Sequence, residues 1–196
     1  MQLKRDDTLI LFGRSPFINQ IKDYIPVLIK NWHTMGINYF CNTFPDVEYV
    51  LFYDDIVPDV ANSTIITDKQ NWENESRKSY QLCRSYPKIE LYKIQEKRNR
   101  FSEEEGVLSY CAHSPSIALD WAYQKGFNNI ILAGIDLVRG TKHFDSEDYI
   151  FGEYAIQAAR SHLENIATRY LNIFQLNPDS DLRLKKIEIN DLLGVK

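Results

Sequence analysis

The 196-residue sequence lacks several features that would identify a membrane, secreted or metal-bound protein. No stretch approaches the roughly 18 consecutive apolar residues that a membrane span needs. Its three cysteines, Cys41, Cys83 and Cys111, are widely spaced and include no C-x-x-C pair. We interpret them as small buried apolar residues in a reducing compartment. We therefore expect a cytoplasmic protein without a membrane span, and one that does not depend on disulfides.

Positive charge is also scarce. Lysine and arginine number 23 against 27 aspartates and glutamates, so the formal net charge is −4. A surface of this sign does not supply the field that carries most non-specific affinity for DNA and RNA, which argues against a nucleic-acid partner. The basic residues between Lys93 and Arg100 are followed by three glutamates that cancel much of their field, and we interpret that stretch as a solvated loop.

Apolar residues make up 44% of the chain, and short apolar runs alternate with segments of helical periodicity. The predicted strands are 8–12, a run ending at 38, 49–53, 63–67, 88–94 as a half-exposed or edge strand, 129–136 and 172–176. Predicted helices follow Ser15 with a break at Pro26, begin at Ser114 as N-cap, and extend over 155–170. The pattern predicts an α/β fold: one Rossmann-like domain over residues 1–196, with a mostly parallel central sheet and helices on both faces.

Ligands of an open parallel sheet bind beyond the carboxyl ends of its strands, so polar residues after each apolar run are the candidate site. These are Gly13, Arg14, Ser15, Asn38, Asp54, Asp55, Asp136 and the residues 177–180. Glycine allows a ligand to approach the backbone closely, while Arg14 and Ser15 offer a cation and a hydroxyl to a phosphate. An ordinary strand-to-helix turn is the alternative, because neither G-x-G-x-x-G nor a Walker loop is present.

Two further features could bind an anion or a cation. Ser114 and Ser116 open a helix whose amino terminus favours a phosphate, although they could equally form a plain helix cap. Asp54 and Asp55 follow a strand and are a candidate pair for magnesium, although aspartate is common in strand-end turns. We predict no other metal or cofactor.

The polar loop after the strand ending at Asp136 contains the candidate catalytic residues. A neutral imidazole at His143 could accept the proton of a hydroxyl, and Arg139 and Lys142 could neutralise a departing phosphate. A histidine that is simply exposed in a loop is the alternative. The sequence has no G-x-S-x-G elbow that would indicate a serine nucleophile.

Four weak motifs, taken in order, resemble those of one broad family. Leu11 to Phe17 keeps the first glycine and the proline of a G-x-G-P-S-L turn. Asn38 after the second strand and Asp54 at the end of an aromatic strand together form the second motif. Ser114 to Asp136 matches a helix followed by a strand that ends in G-I-D, and Asn177 to Ser180 echoes a late N-P-x-S turn. The set resembles the bacterial lipooligosaccharide sialyltransferases and the related motility accessory factor and pterin pyrophosphokinase-like proteins.

The resemblance implies a Rossmann-type glycosyltransferase that binds a nucleotide-sugar and transfers the sugar to a hydroxyl of a glycan or another acceptor. In the sialyltransferases the matching positions hold the cytidine monophosphate part of the donor, which here implicates Gly13, Arg14, Ser15, Asn38, Asp54, Ser114 and Ser116. Where that family has tyrosines after G-I-D, this chain has Val138, Lys142 and His143.

Two other functions remain open at the sequence level. One is a nucleotide-binding sensor or sequestering protein without transfer activity. The other is diphosphate transfer of the pterin pyrophosphokinase kind, in which Asp54 and Asp55 would hold magnesium. The sequence leaves a homo-oligomer open as well.

Overall fold

The described residues form a sheet of nine strands in which every neighbouring pair is parallel. The structure, a computed structural model, describes residues 3–54, 60, 62–74, 77, 86–97, 100–138, 142–145 and 153–194. The strands are β1 Thr8–Phe12, β2 His33–Ile37, β3 Tyr49–Leu51, β4 Thr64–Asp68, β5 Ile89–Glu96, β6 Val107–Tyr110, β7 Asn129–Ala133, β8 Asn172–Gln175 and β9 Lys185–Lys186. Their spatial order is β6-β5-β4-β3-β2-β1-β7-β8-β9.

Seven α-helices are described between and after these strands. They are α1 Ile18–Ile21, α2 Ile25–Asn31, α3 Phe40–Thr43, α4 Lys69–Glu73, α5 Ser114–Gln124, α6 Glu153–Ser161 and α7 Ile189–Leu193. Pro26 lies in the first turn of α2, where its missing N–H costs no helical hydrogen bond, so the chain breaks between α1 and α2. After α6 the chain continues as a π turn, His162–Ile166, and a 3₁₀ turn, Ala167–Arg169.

Helices cover both faces of the sheet, as the alternation of side chains along β1 demonstrates. Leu9 and Leu11 pack in one core cluster with residues of α5 and α6, while Ile10 and Phe12 pack in the other with residues of α1, α2, α3 and α7. All five residues of β1 are buried. Full burial of each large apolar side chain contributes about 1.5–3 kcal/mol. The prediction of an α/β fold of Rossmann type, with a parallel sheet between helices, is confirmed.

The strand order reverses beside β1, and this places the site. From β1 the chain adds strands outward in one direction as far as β6, then returns to place β7 on the other side of β1. The carboxyl ends of these strands are level, because Phe12 is paired with both Gly36 of β2 and Ala133 of β7. A crevice opens at such a reversal, since the connections leave the two strands on opposite faces of the sheet.

Several sequence predictions are wrong in detail. Residues 88–94 are half-exposed, as one of the two predictions had it, but they do not form an edge strand, because β6 pairs with β5 from Lys93 to Glu96. β6 follows a run of glutamates and has only four residues. Part of the basic stretch expected to be a loop belongs to β5, which continues to Glu96. The helix predicted over 155–170 ends as an α-helix at Ser161. The prediction of Ser114 as N-cap is wrong by one residue, since His113 has the extended backbone of the cap.

Candidate functional site

A cleft lies at the carboxyl ends of β1 and β7, where the strand order reverses. Its enclosed part measures about 70 Å³, and the cleft continues into an open mouth. Its walls include six of the residues predicted from the sequence: Gly13, Arg14, Asn38, Ser114, Asp136 and His143. Apolar side chains of Ile37, Pro115, Ile135 and Leu137 complete the lining. The structure therefore brings together residues that are as much as 130 positions apart in the sequence.

Two glycines form the floor of the cleft. The amide of Gly13 donates to the carbonyl of Ala133 at 2.8 Å, and a side chain on Gly13 would overlap the carbonyl oxygen of Gly134. Gly134 has a φ of +73°, and a Cβ there would lie 2.7 Å from the side chain of Ile18. Both positions exclude larger residues, so backbone forms the floor directly.

Buried Asp136 connects the turn after β1 with the end of β8 and the turn that follows it. Its carboxylate accepts hydrogen bonds from the hydroxyl of Ser15 and, at 3.0 Å, from the amide of Gln175. The same amide donates to the hydroxyl of Ser180 at 2.9 Å. Burial raises the pKa of Asp136, and the hydrogen bond from Ser15 opposes that shift. The buried carboxylate thus fixes the turn after β1 to the turn after β8.

The hydroxyls of Ser15 and Ser116 serve the protein rather than the cleft. Ser15 is 1% exposed and donates to Asp136. Ser116 is fully buried; its hydroxyl donates to the carbonyl of His113 at 2.7 Å and accepts from the amide of Cys111 at 2.8 Å. Both side chains lie behind the lining, and their predicted contacts with a nucleotide stay predictions.

Helix α5 begins at the cleft. Ser114 and Pro115, the first two residues of this 11-residue helix, are part of the wall. The partial positive charge of a helix amino terminus, about half an elementary charge, falls off within the first turn. It therefore acts on a group in the cleft and on little else.

Asn38 carries an unused acceptor at the same place. Its backbone is left-handed, with a φ of 53°, a conformation that asparagine tolerates better than most residues. The side-chain Nδ2 lies 3.4 Å from Oδ2 of the exposed Asp54, whereas Oδ1 is buried and has no hydrogen-bond partner among the described residues. A buried acceptor left in this state costs about 1–3 kcal/mol.

The acidic pair proposed for magnesium is only partly described. Asp54 is exposed and contacts Asn38, whereas Asp55 lies outside the described residues. Within the described ranges, no group of three or more His, Cys, Asp or Glu side chains is arranged to hold a metal ion. The magnesium site stays a prediction.

Arg14 forms an ion pair with Asp145, which no pattern in the sequence indicated. Its Nε lies 2.9 and 3.0 Å from the two carboxylate oxygens of Asp145, and a terminal nitrogen lies 2.6 Å from Oδ1. The two side chains are 12% and 16% exposed. The guanidinium also lies over the ring of Tyr39, at 5.2 Å. Asp145 thus offsets much of the charge that the sequence analysis assigned to a phosphate.

The segment that carries Asp145 also carries His143. His143 lines the cleft, and Lys142 beside it is exposed. Arg139, the third predicted catalytic residue, lies outside the described residues. The catalytic roles of all three stay predictions.

A second histidine lies directly beneath the cleft. His113 precedes α5, is 1% exposed, and has its ring centroid 6.0 Å from that of His162. Burial, and secondarily the charge of His162, lower the pKa of His113 to about 3. The two histidines are 49 positions apart in the sequence, and this spacing gives no pattern from which to pair them.

Comparison with solved structures finds a similar fold in the MAf glycosyltransferase from Magnetospirillum magneticum AMB-1. The TM-score is 0.61 at 12% sequence identity, and the match covers 97% of this chain and 34% of that chain. The likeness is one of fold. This chain spans about a third of the length of the glycosyltransferase that it matches.

Comparisons of sequence add no family. No protein-family model matches the chain. A search of curated proteins finds no match either. Among the described residues, no helix has the length and apolar character that a crossing of the membrane requires.

Proposed function

We propose that this chain binds a nucleotide-sugar in the cleft at the β1–β7 reversal and transfers the sugar to a hydroxyl acceptor. The observation that carries the proposal is the meeting of the α5 amino terminus and the unsatisfied acceptor of Asn38 at this cleft. The glycosyltransferase named in the structural match supports the class of reaction by analogy of fold.

The parts of a nucleotide suit different walls. A phosphate would lie at the first turn of α5, next to Ser114, where the helix dipole favours negative charge. The base or ribose would give a donor to Oδ1 of Asn38. The apolar side chains of Ile37 and Leu137 would cover the face of a ring. A donor of cytidine monophosphate type, as the family resemblance implies, has all three parts.

The transfer step needs a base on the acceptor side. The acceptor oxygen attacks the anomeric carbon, its proton passes to the imidazole of His143, and the bond from sugar to phosphate oxygen breaks with its electrons on the nucleotide. Lys142 and Arg139 would stabilise the charge that develops on the leaving phosphate. His143 is part of the wall, which is the position this role requires.

A nucleotide-binding protein without transfer activity is the second candidate. The ion pair between Arg14 and Asp145 favours it, because a cation already paired contributes less to stabilising a leaving group. Binding through α5 and Asn38 does not need that charge.

A thermal-shift screen tests the binding function. The panel consists of CMP, UDP and GDP, together with CMP-sialic acid, UDP-glucose and GDP-mannose. A ligand bound only by the folded state at about 100 times its Kd stabilises that state by about 2.7 kcal/mol, and the melting temperature rises accordingly. No shift with any member of the panel would contradict the proposal.

A hydrolysis assay on each nucleotide-sugar that binds then separates the two candidates. Release of free nucleotide, faster with a hydroxyl acceptor present, supports transfer. Binding without release supports the sensor or sequestering function.

A further inference from the structure

Asp145 contacts Arg14 through both carboxylate oxygens, at distances of 2.6 to 3.0 Å. The two residues are 131 positions apart, and the pair joins the turn after β1 to the segment after β7. Both side chains are largely shielded from solvent, at 12% and 16% exposure. A two-pronged contact of a guanidinium with a carboxylate fixes orientation as well as distance, which a single-point ion pair does not.

The same segment has a second attachment to the same turn. The amide of Phe144 donates to the carbonyl of Arg14 at 2.9 Å. The ring of Phe144 lies 6.2 Å from that of Phe40 and 6.5 Å from that of Phe44, so it packs over α3 and the residue after it. Both attachments follow His143 directly in the chain, at the next two positions.

These two attachments constrain the backbone on the carboxyl side of His143, which is part of the wall of the cleft. A base is effective only within about 3 Å of the hydroxyl it deprotonates, and a misplacement of about 1 Å can cost a hundredfold in rate. We propose that Asp145 is a positioning residue that acts through Arg14 to hold His143 against the cleft. The expected effect on turnover rests on the proposed function, whereas the attachment of the segment to the turn after β1 does not.

Trypsin cleavage after Lys142 tests the mechanical part without any ligand. Lys142 is exposed. Detachment of the segment from the turn after β1 should make the bond after Lys142 more accessible to the protease. In Asp145→Ala we expect cleavage at this bond to accelerate about tenfold, because cleavage follows the population of the open form. Asp145→Glu, which keeps the carboxylate, should return the rate most of the way to that of the parent.

Two comparisons make the result specific. Glu73→Gln removes an exposed carboxylate paired with Lys69 in α4, and it should leave cleavage after Lys142 unchanged. Arg14→Ala, Asp145→Ala and the double variant should all be cleaved at similar rates, since either substitution alone removes the pair.

Three outcomes would overturn the proposal. One is cleavage after Lys142 in Asp145→Ala at the rate of the parent. Another is an equal acceleration after Lys125, which would indicate general unfolding. The third is a double variant in which the acceleration of cleavage equals the product of the accelerations in the two single variants. That result would indicate that Asp145 acts without Arg14.

The catalytic part is tested with CMP-sialic acid as the probe. Asp145→Ala should lower kcat about a hundredfold while KM for this donor changes less than threefold, and Asp145→Glu should recover most of kcat. An unchanged kcat in a variant whose segment opens would overturn the positioning of His143. If the parent neither binds nor turns over any nucleotide, the proposed function fails, while the cleavage experiment still decides whether Asp145 holds the segment.

Discussion

Acid will destabilise this protein through His113, the histidine buried beneath the cleft. Its pKa in the folded state is about 3, against 6.5 for an ordinary histidine, because burial removes the water that stabilises the imidazolium. The unfolded chain therefore binds a proton at this residue below about pH 6.5, whereas the folded chain does not. Acid favours the state that binds more protons, which here is the unfolded state. The free energy of unfolding therefore decreases as the pH falls from 6.5 towards 3.

The size of the loss follows from the two pKa values. One unit between the pH and the unfolded pKa corresponds to about 1.4 kcal/mol, so at pH 5 His113 lowers the free energy of unfolding by about 2 kcal/mol. A typical domain has a total stability of about 5–15 kcal/mol, so the effect is measurable. Above pH 7 the residue contributes no pH dependence.

Urea denaturation at pH 7.5, 6.5, 5.5 and 5.0 measures this dependence. Other groups titrate in the same range, so the parent is compared with His113→Gln, which cannot take up the proton. The difference in unfolding free energy between the two proteins should shift by about 2 kcal/mol in favour of the variant between pH 7.5 and 5. His33→Gln changes a half-buried histidine paired with Glu48 at 2.6 Å, and it should retain the part of the loss due to His113. Parallel curves for the parent and His113→Gln would refute the reasoning.

Three further predictions concern the cleft. Asn38→Ala and Ser114→Ala should each weaken binding of the best nucleotide in the thermal-shift panel by about 1.5–3 kcal/mol, since each removes a hydrogen bond to a charged or buried group. Calorimetry measures the change. The controls Asn190→Ala and Ser161→Ala, at exposed positions, should not weaken binding. EDTA should leave sugar transfer nearly unchanged, and loss of activity that magnesium restores would instead favour diphosphate chemistry at Asp54 and Asp55. His143→Ala and His143→Gln should both lower turnover by about 10²–10⁴-fold with donor affinity unchanged; normal turnover would exclude His143 as the base, and loss of donor binding would make it a ligand of the phosphate.

The interior strands were predictable because burial on both faces leaves a plain pattern. β1, β7 and β8 are short apolar runs, and each was expected within a few residues of its bounds. The outermost strands were not predictable in this way. β6 is a buried run of only four residues after three glutamates, and β9 consists of two exposed lysines, so neither has an apolar run long enough to identify it. Their strand character comes from pairing with β5 and β8, which no local pattern records.

The location of the cleft was predictable, but the partners within it were not. Parallel strands align their carboxyl ends, so residues after β1, β2 and β7 had to meet. Which side chains bond to one another depends on packing between distant segments: Ser15 donates to a carboxylate 121 positions away. A serine that faces a ligand and one that supports a buried aspartate look alike in sequence. Asp145, two residues after His143, is evident in the sequence. Its closeness to Arg14 in space is not.

The Arg14–Asp145 pair also determines how mutations in this site must be interpreted. Arg14→Ala would weaken nucleotide binding even if Arg14 never contacts the ligand. The substitution leaves Asp145 without its main counter-charge, close to the cleft proposed to bind a phosphate. A like charge at that distance repels a phosphate, so the single substitution reports the uncovered aspartate and not a lost contact. The variant that removes both groups separates the two cases. If Arg14 binds phosphate, Arg14→Ala combined with Asp145→Ala will still bind nucleotide more weakly than the parent, because the lost contact is not restored. If Arg14 only holds the segment, the double variant will recover affinity, because the repulsion disappears and the α5 amino terminus and Asn38 remain.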